Sequence, residues 1–167
     1  MHIEIRAERA EDAQAIRRVT EAAFKLSSHA SGTEAAIVEA LREAGALTLS
    51  LVATVGGDIA GHIAFSPVTI DGQDLGWFGL GPVSVTPDLQ GHGIGSVLIR
   101  EGLAHLRQTG AAGCVLLGDP AFYRRFGFEN DPALRYEDAP AEYFMRLAFQ
   151  EAVPSGKVSY HAGFAAS

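Results

Sequence analysis

The sequence predicts a single mixed α/β domain with a mostly antiparallel sheet flanked by helices. Three observations lead to this fold class. Apolar residues alternate in "HIEIR", which predicts a first strand, and they recur at helical spacing over residues 10–25, with a second helix predicted over about residues 33–44. Three strand-like segments with turn signals between them then follow. The 167 residues suit one domain, and no linker, repeat or low-complexity tract interrupts them, so we expect one domain over residues 1–167.

The central segment is predicted to form a meander of three strands. Residues 47–55 and 59–70 flank "GGD", a hairpin signal, and residues 75–85 follow the turn "DGQD". The third strand contains several glycines and Pro82, which are unusual inside a strand. They predict a bulge or a splayed edge there.

A strand–helix–strand unit follows from the third strand of the meander. A glycine-rich loop leads into a helix that ends near Gln108, and the buried strand "GCVLLG" comes next. Such a crossover places its two strands parallel and adjacent. A short helix, "PAFYRRF", with proline at its first position, and one or two strands in "EYFMRLAF" and "KVSYHAGF" complete the predicted fold.

Composition and charge exclude several classes of protein. A hydrophobic content of 47% with 20% charged residues is typical of a folded domain, and a net charge of −7 opposes binding to nucleic acid. We expect no membrane association and a cytoplasmic location, because no apolar run reaches spanning length and the N-terminus lacks a signal-like segment. Cys114, the single cysteine, is expected to be a buried thiol, with no disulfide and no metal site. The sequence does not determine whether the protein is a monomer or a homodimer.

The segment "VTPDLQGHGIGSVLI" places Gly91, Gly93 and Gly95 where a helix begins. A helix N-terminus offers unpaired N–H groups to an anion, and glycine allows close approach. A dinucleotide fingerprint is excluded by the spacing of the third glycine and the lack of a following acidic residue. A nucleotide-binding Walker loop is excluded because no lysine occurs between Lys25 and Lys157. The loop alone leaves an anion site and a structural turn as alternatives.

The surroundings of the loop resemble the GNAT superfamily of N-acetyltransferases. In that family V-x-V-x-P precedes Gln/Arg-x-x-Gly-x-Gly/Ala, and Gln90, Gly93 and Gly95 stand at the defining positions. "GDPAFYRRFGF" resembles a second family element, in which a tyrosine, here Tyr123, lies four residues before Gly-Phe. The order of elements also agrees along the chain. The likeness is greatest to a bacterial subgroup of predicted acetyltransferases whose substrates are mostly unassigned.

The resemblance implies a GNAT-like sheet with a V-shaped splay between the central parallel strands, and acetyl-CoA as co-substrate. Main-chain groups of Val83, Ser84 and Val85 would pair with the pantetheine arm. The amides of the glycine loop would hold the pyrophosphate. That loop comprises Gln90, Gly91, His92, Gly93, Ile94, Gly95 and Ser96. His92 either adds a hydrogen-bond donor to the pyrophosphate site or faces solvent.

The implied reaction is attack by a neutral amine on the thioester carbonyl, followed by protonation of the CoA thiolate. The main-chain N–H near Val85 is the candidate for polarising the carbonyl. Tyr123 matches the family's position for the acid, and a packed ring beside Phe122 and Phe126 is the structural alternative. Trp77 and the neighbouring Phe78 are interpreted as core residues rather than lining of a substrate pocket.

The general base stays open, because "GWFGLGPVSV" lacks the Glu or His that many relatives carry on the central strand. Glu34 has capping-box spacing to Ser31, and Asp119 is placed to cap the short helix. His62 alternates with apolar neighbours and is expected in the core. Glu34 and Asp119 are therefore the candidates for contacting the substrate. Asp119 departs from the family pattern, since many relatives place an asparagine further ahead of the tyrosine.

Together these features predict an acetyl-CoA-dependent N-acetyltransferase that acts by direct attack on a primary amine of a small molecule. The acceptor is expected to enter over "LSSHASGTE" and "GDPAFY". Acidic residues dominate the middle of the chain, which favours a cationic amine, although solubility is the plainer explanation. The alternative is a catalytically silent GNAT-like module that binds or senses CoA, favoured by the missing acid on the strand.

Overall fold

Residues 1–25 and 32–167 are described by the computed structural model of the chain. Their strands are β1 (Ile3–Ala7), β2 (Leu49–Val55), β3 (Asp58–Ile70), β4 (Trp77–Val85), β5 (Gly113–Leu117), β6 (Leu134–Arg135), β7 (Phe144–Ala148) and β8 (Gly156–Tyr160). Their α-helices are α1 (Ala13–Lys25), α2 (Glu34–Glu43), α3 (Ile94–Gln108) and α4 (Pro120–Tyr123). Ser31, the expected capping partner of Glu34, lies outside the described residues, as does most of the expected entrance "LSSHASGTE". None of the helices in the described ranges is both long and apolar enough to span a membrane.

The strands form one sheet whose main path runs β1-β2-β3-β4-β5-β7. Neighbours on this path are antiparallel, except that β4 and β5 are parallel, as expected for a strand–helix–strand unit. The late strand β8 pairs with the far end of β3, and β6 pairs with β8. The structure thus confirms a mixed α/β domain with a mostly antiparallel sheet.

The two parallel strands separate part-way along their length. Their register extends only from Trp77, opposite Gly113, to Gly79, opposite Val115. On its other side β4 stays paired with β3 as far as Val85, with a register shift near Phe65. Beyond Gly79, within the described part of the chain, the β5-facing edge of β4 therefore has no strand partner. This opening is the predicted V-shaped splay.

The core fills both faces of the sheet. Helix α3 packs its buried residues Leu98 and Ile99 against Ile63 and Phe65 of β3. Helices α1 and α2 cover the opposite face, where Ile16 and Val38 pack on Val52. Because successive strand residues point to opposite faces, Val52 lies on the α1 and α2 side while its neighbours face α3.

Three residues interpreted as core from the sequence are buried. Trp77 is 1% exposed, and Cys114 and His62 are 0% exposed. Burial raises the pKa of the Cys114 thiol well above its usual range, so the sulfur stays protonated and unreactive. Phe78 is half-buried and packs against the same core. These residues serve packing.

Candidate active site

The open edge of β4 presents the main-chain groups of Val83 and Val85. Thr86 N–H donates to Ala60 O of β3 at 2.8 Å, which marks a hydrogen-bonded pair of the ladder. In an antiparallel ladder such pairs alternate with non-bonded ones, so Ser84 also exchanges its bonds with β3. Val83 and Val85 therefore direct their N–H and C=O groups to the other side, into the opening beside β5.

Ser84 does not face this opening, in contrast to the expectation for residues 83–85. Its side chain is 2% exposed, and its hydroxyl lies 3.3 Å from that of Thr20 on α1. The Thr20 hydroxyl already donates to Ile16 O at 2.7 Å, so Ser84 is the donor in the pair. Ser84 ties β4 to α1, because the ladder turns its main chain toward β3 and its side chain into the protein.

The glycine loop leaves amides unpaired at the start of α3. Gly93 is the N-cap residue, and no side chain caps the helix. The first helical hydrogen bond runs from Val97 N–H to Gly93 O at 3.1 Å. The N–H groups of Ile94, Gly95 and Ser96 consequently have no backbone acceptor within the described residues. With the positive end of the helix dipole, these amides form a site suited to an anion.

The backbone requires glycine at two loop positions. Gly91 and Gly93 have φ angles of 83° and 86°, where side chains strain the backbone. A Cβ atom at either position would meet nothing within 4 Å, so the space above the loop is open. Gly95 has no such φ, and a Cβ atom there would meet only Val85 Cγ2, at 3.8 Å. Backbone conformation explains the first two glycines, in addition to the access for phosphate that the sequence suggests.

The loop is tied to the end of β4 by Gln90. Its side-chain Nε2 donates to Val85 O at 3.0 Å, so the Gln90 side chain positions the loop rather than pointing to the anion site. The Val85 carbonyl is thereby engaged, and the Val85 N–H is the group left on the open edge. His92 is exposed, and the Ile94 side chain is buried, so Ile94 offers only its amide.

A pocket of about 310 Å³ lies at the open end between β4 and β5. Residues of β4 line one wall, including Val83, and Leu117 lines the other at the end of β5. Tyr123 of α4 and Glu34 at the start of α2 also line it. The remaining lining is largely aromatic and comes from distant parts of the chain: Phe24, Tyr136, Tyr160 and Phe164. The structure thus brings Tyr123, Glu34 and Val83 together.

Tyr123 is both packed and part of the pocket. Its ring meets those of Phe122 and Phe128 edge-on, with centroids 4.9 and 6.1 Å apart. Burial raises the pKa of Tyr123 to about 12, so the hydroxyl keeps its proton at neutral pH. The predicted acid and the packed ring are therefore compatible descriptions of one side chain.

Asp119 and His62, the two other candidates for contact with substrate or for the base, do not line this pocket. The Asp119 carboxylate accepts from Ala121 N–H at 2.9 Å and caps α4, which confirms the capping interpretation. The expected substrate contact of Asp119 is not supported, because its carboxylate is engaged at the helix start. Of the described residues that line the pocket, Glu34 is the only carboxylate.

His62 belongs to a separate buried network. Ser50 Oγ donates to Glu8 Oε1 at 2.7 Å and lies 2.8 Å from His62 Nε2, so the histidine donates to the serine. Arg42 donates to both oxygens of Glu8. Burial lowers the pKa of His62 to about 4. Its neutral ring supports packing beneath α2. Within residues 1–25 and 32–167, no group of three or more His, Cys, Asp or Glu residues is arranged to hold a metal ion.

Comparison with known proteins identifies the family. Residues 4–130 match the model of the acetyltransferase (GNAT) domain. The chain belongs to the GNAT acetyltransferase family. This match covers the open edge of β4, the glycine loop and Tyr123, whereas Tyr136, Tyr160 and Phe164 of the pocket lie beyond the matched residues.

Relatives of this GNAT acetyltransferase are similar over most of its length. The uncharacterized N-acetyltransferase YhbS of Escherichia coli (strain K12) is 41% identical over 144 residues, which cover 82% of this chain and 86% of the relative. A GNAT family acetyltransferase from Brucella melitensis, solved in complex with acetyl-CoA, is 56% identical with a TM-score of 0.88 over 98% of both chains. Crystalline YhbS from Escherichia coli in complex with CoA is 38% identical with a TM-score of 0.91 and covers 99% of this chain and 93% of its own.

The sequence did not reveal the aromatic lining of the pocket in this GNAT acetyltransferase. Tyr136 and Tyr160 lie in or beside late strands, and no local pattern shows that β8 pairs with β3. One signal was present in β4, where Gly79 interrupts a buried strand. A Cβ atom at Gly79 would lie 2.7 Å from Tyr160 Cε1, so this glycine leaves room for the tyrosine ring.

Proposed function

We propose that this GNAT acetyltransferase moves the acetyl group of acetyl-CoA to the primary amine of a small molecule by direct attack. One observation carries the proposal. The unpaired edge of β4 ends beside the unpaired amides of the glycine loop and also lines a pocket that contains Tyr123 and Glu34. The complex of the 56% identical Brucella melitensis relative with acetyl-CoA supports the same co-substrate here.

The chain's own groups would bind acetyl-CoA along this edge. The amides from Gly91 to Ser96 would hold the pyrophosphate at the N-terminus of α3, with the helix dipole favouring its negative charge. The N–H of Val85 and the C=O of Val83 would pair with the amides of the pantetheine arm, as an added strand pairs with an open sheet edge. Ser84 has no part in this binding, because its main chain pairs with β3.

The main-chain N–H of Val83 would donate to the thioester oxygen, which becomes more negative as the amine attacks. Val83 is favoured over Val85 because Val83 lines the pocket with Tyr123 and Val85 does not. When the carbon–sulfur bond breaks, Tyr123 would give its proton to the leaving thiolate and regain one from solvent. A free thiol has a pKa of about 8.5, well below that of Tyr123. Loss of hydration in the pocket would raise the pKa of the leaving thiol as well, which would narrow this difference.

Glu34 would attract the acceptor and receive its proton. The attacking nitrogen must lose one proton before the amide product forms, and Glu34 is the carboxylate among the described lining residues. A negative side chain in the pocket lining also favours a cationic amine over a neutral or acidic compound. The acceptor proton would pass to Glu34 directly or through a water molecule.

A second candidate function is a catalytically silent module that binds CoA. One observation favours it: β4 carries no Glu or His side chain that could act as a base. Binding of acetyl-CoA is common to both functions, so binding alone does not separate them. Release of CoA in the presence of an amine distinguishes the enzyme from the silent module.

The test is steady-state CoA release from acetyl-CoA across a panel of primary amines, with mass spectrometry of the products. The panel contains polyamines, amino acids, aminoglycosides, peptide N-termini and arylalkylamines, and calorimetry measures acetyl-CoA binding in parallel. We expect binding together with amine-dependent CoA release and an acetylated product. Binding without turnover of any amine would favour the silent module, and absence of binding would overturn both functions.

A further inference from the structure

The acceptor pocket has an aromatic wall formed by Phe24, Tyr136, Tyr160 and Phe164. The rings of Tyr160 and Phe164 have centroids 4.9 Å apart, and Tyr136 meets Tyr160 edge-on at 5.1 Å. The four residues come from α1, the segment after β6, the end of β8 and the C-terminal segment. Contacts among Tyr136, Tyr160 and Phe164 thus join rings from distant parts of the chain, and Phe24 lines the same pocket.

The surrounding backbone holds this wall in place. Gly79 of β4 leaves room for the Tyr160 ring, which would otherwise be 2.7 Å from a Cβ atom. Phe164 lies in the short helix Ala162–Ala165, whose Gly163 fits closely against Leu41 of α2. His161 Nδ1 accepts from Gly163 N–H at 2.9 Å and caps this segment. The aromatic surface is therefore fixed before any acceptor binds.

The residues that line the pocket predict the chemistry of the part of the acceptor that carries the amine. Aromatic rings gain edge-to-face and offset contacts with one another beyond the burial of their area. A chain with several ammonium groups would lose hydration along this wall and find a single carboxylate, Glu34, among the described lining residues. The pocket of about 310 Å³ is about twice the size of a roughly 150 Å³ protein cavity that binds benzene. It has room for one ring with a short arm.

We propose that the acceptor is a primary amine carried on a short arm of an aromatic ring. The inference rests on the acetyl transfer proposed above and specifies the substrate class of the same pocket. The ring lies against Tyr160 and Phe164, and the arm directs the amine toward Val83 and Tyr123. Glu34 lines the same pocket and supplies a negative charge for the amine.

The experiment compares kcat/KM for three acceptors at saturating acetyl-CoA. 2-Phenylethylamine carries the ring, butylamine has an alkyl arm without it, and spermidine is a polycation of extended shape. We expect 2-phenylethylamine to exceed butylamine and spermidine by about tenfold or more, because ring burial contributes to binding only for the first compound. Equal or higher kcat/KM for butylamine or spermidine would overturn the aromatic acceptor and leave acetyl transfer intact.

A matched pair of variants locates the effect in the wall. Phe164→Leu removes a pocket ring while keeping an apolar side chain, and Phe149→Leu makes the same change at a ring that packs under Arg107 away from the pocket. We expect Phe164→Leu to raise KM for 2-phenylethylamine several-fold more than it raises KM for butylamine, with Phe149→Leu like wild type. Equal effects of Phe164→Leu on both amines would overturn the ring contact. Acetyl-CoA binding without CoA release for any amine would overturn the acetyl transfer and this inference together.

Discussion

The ring of Tyr123 lies directly against Gly118, at the end of β5, with no room for a Cβ atom between them. Gly118 N–H donates to Tyr143 O at 2.9 Å, which fixes the backbone at this position. Its φ angle is outside the left-handed region, so the position requires space rather than an unusual backbone. Gly118 therefore determines where the Tyr123 hydroxyl lies in the pocket.

Replacing Gly118 with alanine should displace Tyr123 and lower kcat. A shift of the ring by about 1 Å takes the hydroxyl away from the leaving thiolate, and misplacements of that size cost up to about 10²-fold in rate. Acetyl-CoA binding, measured by calorimetry, should change little. In a Tyr123→Phe background the alanine should add almost no further loss of kcat, because the group that it displaces is gone. Independent, additive losses would show that Gly118 does not act through Tyr123.

The pH profile of kcat should lack a falling limb up to about pH 10. Burial raises the pKa of Tyr123 to about 12, so the hydroxyl stays protonated, and able to donate, below that value. An exposed tyrosine, with a pKa of about 10, would lose half of its acid form at pH 10. Measured from pH 7 to 10.5 with saturating substrates, kcat should rise as the amine loses its proton and then stay level. A decline with an apparent pKa below 10 contradicts the assignment of a buried acid.

Replacing Gly93 with valine should weaken acetyl-CoA binding by more than about tenfold, since a branched side chain would crowd the pyrophosphate and strain the backbone. Gly110 provides the matched control, because it has the same φ of 86° and the same open surroundings beyond the other end of α3. Both valine variants should lose thermal stability, whereas only Gly93→Val should lose affinity in calorimetry. Similar affinities of the Gly93→Val and Gly110→Val variants for acetyl-CoA would show that the loop is not the anion site.

Charge reversal at Glu34 should raise KM for a cationic amine several-fold, because Glu34→Lys replaces attraction at the pocket by repulsion. Glu43→Lys makes the same change in net charge at the other end of α2, where the side chain is exposed and outside the pocket. Steady-state kinetics at two salt concentrations should show a KM effect for Glu34→Lys alone, weaker at high salt. Turnover limited to neutral or acidic acceptors would show that the electrostatic argument is wrong.

Much of the fold could be predicted because its signals are local. Hairpin signals connect β2, β3 and β4, and the crossover through α3 makes β5 a parallel neighbour of β4. The C-terminal strands were predicted only approximately. Val68 of β3 pairs with Tyr160 of β8, which is distant in the sequence, and no pattern within either segment encodes so distant a partner. β6, with two residues, is too short for a periodicity to define it.

The features of the candidate site also fall into those that are local in the sequence and those that depend on distant contacts. The glycine loop and Tyr123 were predicted because glycines before a helix and a tyrosine before Gly-Phe are sequence-local features. The direction of Ser84 depends on the hydrogen-bond register between β3 and β4, which a bulge shifts and the sequence does not reveal. The aromatic wall depends on tertiary contacts such as the one between Gly79 and Tyr160.

The most direct test of Tyr123 as the general acid is kcat of Tyr123→Phe with the best acceptor, under conditions where chemistry limits the rate. The substitution removes only the hydroxyl and keeps the ring against Gly118 and Phe128. We expect kcat to fall on the order of 10²-fold, the usual contribution of one positioned proton donor, with acetyl-CoA affinity and thermal melting close to wild type. A folded Tyr123→Phe protein that turns over the same amine at the full wild-type kcat would contradict that role of Tyr123.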